Sequence, residues 1–65
     1  MITVNGVEQT AFVGKNVTDL LTHLVVDSEH VVVERNGVIV KREAYETITL
    51  EDQDEIEVIS FVGGG

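Results

Sequence analysis

Asn16-Val17-Thr18-Asp19-Leu20-Leu21-Thr22-His23-Leu24-Val25 is the stretch on which the fold turns. Val17, Leu20, Leu21, Leu24 and Val25 fall at i, i+3, i+4, i+7 and i+8, which lays one apolar stripe along a helix and aims it at a core. Asn16 supplies a side-chain oxygen to cap the first turn, and Asp19, three residues on, suits the positive end of the helix dipole. This is the only convincing helix in the sequence, so every other apolar run has to be read as strand.

Upstream, Met1 to Val4 meets Asn5-Gly6 and returns as Val7 to Phe12, the pattern of a two-residue hairpin that needs positive φ. Gly14-Lys15 breaks this pattern ahead of the helix. Downstream, Asp27 to His30 is a polar connection, and Val31-Val32-Val33 leads through Asn36-Gly37 into Val38-Ile39-Val40, a second hairpin. Lys41 to Glu46 is polar around Tyr45, Thr47 to Leu50 is short and β-prone, and Glu51 to Asp54 reads as an acidic, solvated turn. The last strand is expected over Ile56 to Val62. Ile56 and Val58 share one face with Ser60, and Glu57 shares the other with Ile59 and Phe61. Hairpin, helix, hairpin and final strand predict an α+β fold with one helix packed across a mixed sheet of four to five strands. If the first and last strands lie side by side in parallel, the result is a β-grasp (ubiquitin-like) domain over residues 1–62, followed by a flexible glycine tail at 63–65.

Sixty-five residues at 43% hydrophobic allow one small core and leave little interior for a catalytic pocket. Twelve acids against four bases give a net charge of −8, which disfavours a phosphate-backbone partner such as nucleic acid and suits docking on basic surfaces. The absence of Cys excludes a disulfide framework, a thiolate zinc site and a side-chain sulfur nucleophile. No run of residues is long and apolar enough for a membrane span, and no signal peptide is apparent, so a cytoplasmic location is expected.

The residue patterns that carry enzyme chemistry are missing. His23 and His30 have no local metal-ligand spacing around them and read as structural or solvated. Glu51, Asp52, Asp54 and Glu55 lack the spaced ligands and the glycine of a calcium loop, and Arg35 beside Glu34 reads as a surface pair. No metal and no bound cofactor are expected, and the chain is not expected to be an enzyme. The C-terminal Phe61-Val62-Gly63-Gly64-Gly65 is different. Glycines without side chains fit a channel too narrow for other residues, and Val62 to Gly65 extended would reach roughly 13 Å from the domain. Its carboxylate is a poor acyl donor until activated, for example as an acyl adenylate made from ATP by another protein. A sulfur nucleophile arriving from outside would then leave a thiocarboxylate on Gly65.

These features resemble the ubiquitin-like sulfur carrier of thiamine (thiazole) biosynthesis, within the thiamine/molybdopterin sulfur-carrier family. The resemblance covers nearly the whole chain. Asn16-Val17-Thr18-Asp19-Leu20-Leu21 is similar to the family's capped helix start, and Val33-Glu34-Arg35-Asn36 with Ile39-Val40, Arg42 and Tyr45 resembles its middle segment. Asp52, Asp54 and Ile56 resemble the D-G-D-x-I turn into the last strand, with Gln53 in place of the usual glycine, and the end is similar to family tails that finish in a diglycine.

The resemblance implies a β-grasp domain whose Gly65 carboxylate is adenylated by an E1-like enzyme that uses ATP. It also implies conversion of that carboxylate to a thiocarboxylate with sulfur from a persulfide-bearing donor enzyme, and use of the sulfur by thiazole synthase. Gly64 and Gly65 carry over directly and Gly63 as an extension; Gly63 and Gly64 would thread into partner active sites, and Gly65 would carry the adenylate and thiocarboxylate. Ile59, Phe61 and Val62, near the tail, are the candidates for docking the activating enzyme. The alternatives are the small subunit of molybdopterin synthase, which the absence of proline disfavours, a β-grasp protein modifier, and a passive interaction domain.

Overall fold

Both Asn-Gly pairs fold as the sequence predicts. Asn5 and Gly6 lie at φ 49° and 84°, and Asn36 and Gly37 at φ 54° and 83°, the doubly left-handed geometry of a type I′ turn that matches the twist of its flanking strands. The computed structural model describes residues 1–61. In chain order these form β1 (Ile2–Val4), β2 (Val7–Gln9), helix α1 (Val17–Leu24), a 3₁₀ turn at Ser28–His30, β3 (Val31–Arg35), β4 (Val38–Val40), a second 3₁₀ turn at Arg42–Ala44, and β5 (Glu55–Ser60).

The sheet order is β2-β1-β5-β3-β4. β1 runs parallel to β5, with Val4 opposite Ile56, and β3 runs antiparallel to β5 on its other side, from Val31 opposite Ser60 to Arg35 opposite Ile56. One helix crossing a five-stranded mixed sheet whose first and last strands are parallel neighbours is the β-grasp arrangement, with β5 at the centre. Two hairpin asparagines pin that central strand. The Asn5 side chain accepts from the Val58 amide at 2.7 Å and donates to the Val58 carbonyl at 3.2 Å, prolonging the β1 edge by one residue. On the other side, Asn36 accepts from the Glu55 amide at 2.9 Å.

The helix begins with a reciprocal cap. The Asp19 amide donates to the Asn16 side chain at 2.8 Å, and the Asn16 amide donates to the Asp19 carboxylate at 3.1 Å. Val17, Leu20 and Leu21 are buried and Leu24 packs against the core. Val25, expected on the same stripe, is instead the left-handed C-cap at φ 59° and is 88% exposed, because the helix ends one residue before it. Under the helix lie Ile2, Val4, Val31, Val33, Val40, Ile56 and Val58 from alternate strand positions. Each fully buried Val, Leu or Ile contributes roughly 1.5–3 kcal/mol relative to exposure.

Four boundaries differ from the sequence reading. β2 stops at Gln9, and Phe12 is buried from a turn, where its ring meets His23 edge-on at 4.9 Å. The Asp27–His30 connection contains the first 3₁₀ turn, with Asp27 accepting from the Glu29 amide. Thr47 to Leu50 makes a single bridge, Thr49 to Asn16, although Leu50 is fully buried. The last strand starts at Glu55, one residue early, and among the described residues ends at Ser60; its expected end, Val62, lies outside them.

The acidic turn also departs from expectation. Asp54 is only 5% exposed and accepts from Arg35 Nε at 2.8 Å, Asn36 Nδ2 at 3.0 Å and the Glu51 amide at 2.9 Å. Arg35 is therefore partnered by Asp54 across the fold and not by its neighbour Glu34. Burial works against the Asp54 carboxylate, but the three donors outweigh it and hold the carboxyl below its usual range. Gln53, at the family's glycine position, keeps a left-handed backbone at φ 77°.

Candidate functional site

β5 has two different faces. Ile56 and Val58 point into the core, whereas Glu55, Glu57 and Ile59 are exposed on the side away from the helix. Register places Val32 of β3 opposite Ile59 and Glu34 opposite Glu57, with Ile39 of β4 opposite Glu34. This open face thus carries an apolar cluster of Ile59 and Val32 at the exit end of β5 and an acidic band of Glu57 and Glu34 behind it. Ile59 is 51% exposed and Ile39 64%, so neither belongs to the core. Glu34 and Glu57 are like charges at directly paired positions, an arrangement that costs the isolated sheet stability.

Phe61 is the last described residue, 44% exposed, and sits one step beyond the strand. Its amide donates to the His30 carbonyl at 2.9 Å, and its ring lies 5.9 Å from the His30 ring with the planes tilted by 58°. His30 Nδ1 is in turn 2.9 Å from Asp27 Oδ2. The amide of Glu29 and the His30 ring hold the Asp27 carboxyl below its usual range. Of the residues singled out in the sequence, Ile59 and Phe61 come together on one face at the end of β5. Val62, Gly63, Gly64 and Gly65 lie outside the described residues, as does the boundary assigned between residues 62 and 63.

Sequence reasoning placed Glu57 beside Ile59 but missed Val32, Glu34 and Ile39 as members of this face. Alternation along β5 marks Glu57 and Ile59 as sharing a side, but placing β3 and β4 residues beside them requires the register. It also missed His30 as a neighbour of Phe61, which follows from the same β3–β5 pairing. A groove of about 500 Å³ bordered by Arg35, Val38, Ile39, Lys41 and Ile48 lies at the far end of β3 from Phe61. Among the described residues no group of three or more His, Asp or Glu side chains is placed to hold a metal ion, and no helix is long and apolar enough to cross a membrane.

The model of the ThiS family matches residues 2–65, the globular domain and the glycine run together. The chain belongs to the ThiS family. It is 43% identical over 49 residues to the sulfur carrier protein ThiS of Bacillus subtilis, covering 75% of this chain and 74% of that protein. It is 39% identical over 64 residues to a thiazole synthase of Paramagnetospirillum magneticum and 41% identical over 64 residues to one of Magnetococcus marinus. In both cases the match covers 98% of this chain but only 20% of the relative, so this ThiS-family chain spans a fifth of the length of those proteins. The crystal structure of the thiamine biosynthesis protein ThiS from Geobacter metallireducens superposes with a TM-score of 0.80 at 43% identity, covering 98% of this chain and 97% of that one. Two chains of this likeness share their fold, in agreement with the β-grasp assignment from the strand pairing.

Proposed function

We propose that this ThiS-family chain is a sulfur carrier for thiamine biosynthesis, acted on by partner enzymes and not itself a catalyst. An E1-like enzyme joins the Gly65 carboxylate to AMP from ATP, releasing pyrophosphate. Sulfur at the hydrosulfide level, drawn from a persulfide-bearing enzyme and a thiol reductant, then displaces AMP and leaves a thiocarboxylate. Thiazole synthase takes that sulfur into the thiazole ring. The observation that carries the reading is the family match over residues 2–65, which takes in both the β-grasp fold and the glycine run. The thiazole synthases that contain a similar segment support the choice of acceptor, since their joining places such a domain beside that activity in one chain.

In this reading Ile59, Phe61 and Val62 dock the activating enzyme, while Gly63, Gly64 and Gly65 enter its active site. Aromatic and aliphatic groups at the centre and acids at the rim suit a basic partner surface. The test is the intact mass of the protein after incubation with ATP, a sulfur source and a thiamine-pathway activating enzyme. Exchange of one oxygen for sulfur, lost when Gly65 is deleted, is the expected result. No exchange, with the enzyme active on another carrier, rejects the assignment.

A further inference from the structure

We propose that His30 is a positioning residue for the tail: held by Asp27, its ring and carbonyl fix Phe61 and so set where the chain leaves the sheet. The inference rests on the carrier reading above and concerns a residue, His30, that reading does not use.

Three observations converge on one residue. The His30 carbonyl receives the Phe61 amide at 2.9 Å, carrying the β3–β5 ladder one residue past the last paired strand position, Ser60. The ring stands against the Phe61 ring at 5.9 Å in the tilted geometry that aromatic pairs favour. Asp27, itself fixed by the Glu29 amide at 2.9 Å, takes one imidazole nitrogen at 2.9 Å and thereby limits rotation of the ring. The 3₁₀ turn at Ser28–His30 places all of this immediately before β3. None of these contacts is needed to close the core, since His30 and Phe61 are both exposed.

A tail that must enter a narrow active site gains from a fixed root. If the chain were anchored only as far as Ser60, Phe61 would swing freely as well, and the partner would have to order it on binding. A fixed Phe61 removes that cost before encounter. Loss of the anchor therefore weakens productive association and leaves the chemistry of the carboxylate unchanged, which appears in KM and not in kcat.

The experiment compares wild type, His30→Ala and His30→Phe, the last retaining an aromatic ring, each checked for an intact β5 by amide protection. Backbone order parameters are measured at Phe61, and adenylation kinetics with the activating enzyme. In His30→Ala, which keeps the backbone bond from the Phe61 amide but removes the ring, the Phe61 order parameter is expected to fall measurably below the rigid value of about 0.85. KM is expected to rise about fivefold, the size of losing one aromatic pair, with kcat within about twofold. His30→Phe keeps the ring but loses the bond to Asp27, so it is expected to restore both in part. An unchanged order parameter at Phe61, a loss carried by kcat, or failure of His30→Phe to rescue overturns the proposal. Absence of any adenylate on the wild type, with an enzyme active on another carrier, defeats the carrier reading instead, and the Phe61 order parameter still decides whether His30 fixes the chain.

Discussion

Replacing Asp54 by Ala tests whether the acidic turn is structural. Its carboxylate is 5% exposed and receives three donors, from Arg35, Asn36 and the Glu51 amide, at 2.8–3.0 Å. Truncation strands Arg35, whose side chain is 27% exposed, together with two neutral donors. Breaking a buried ion pair from one side costs about 3–5 kcal/mol. Partial access of water to Arg35 reduces this to about 2–4 kcal/mol, set against a total stability of roughly 3–10 kcal/mol for a domain of this size. The expected loss in thermal midpoint is about 10–20 °C at neutral pH, measured by far-ultraviolet circular dichroism with urea titrations for the free energy.

The pH dependence supplies a second check on Asp54. Because the folded-state pKa lies below the ordinary aspartate value of 3.8, the contribution of Asp54 is fully present above that value and disappears as pH falls through the folded pKa. Wild type should lose stability below about pH 4 more steeply than Asp54→Ala. A loss under about 1 kcal/mol at pH 7, or parallel acid profiles, would refute the structural role of this carboxylate.

Gln53→Gly should stabilise the domain by about 0.5 kcal/mol, because relief of the left-handed strain at φ 77° exceeds the added flexibility of the unfolded chain; an unchanged urea midpoint would count against strain at this turn. Phe61→Ala should reduce the efficiency of adenylation about tenfold or more while shifting the thermal midpoint by no more than about 3 °C, and a lost folded signal would assign Phe61 to the core. Glu57→Lys turns a like-charged pair with Glu34 into an opposite-charged one and should add about 0.2–1 kcal/mol of stability. The same change should slow association with the activating enzyme and flatten its dependence on ionic strength, and unaltered association would remove Glu57 from the docking face.

What the sequence determined on its own was whatever neighbours along the chain decide. The Asn-Gly turns, the Asn16–Asp19 cap, the apolar stripe through Val17, Leu20 and Leu21, and the alternation at Ile56, Val58 and Ile59 all rest on interactions within a few residues. The family resemblance was legible for the same reason, being carried by short ordered motifs. Tertiary structure decided what depends on strand register. The parallel placement of β1 beside β5 brought Asn5 to Val58, 53 positions away, and the β3–β5 pairing carried Arg35 to Asp54 and His30 to Phe61. An acid in a charged run reads as solvated until a donor arrives from another strand, and Leu50 reads as part of a strand until the core closes over it. Burial and charge pairing are set by distance in space, which the order of residues leaves open until the sheet has formed.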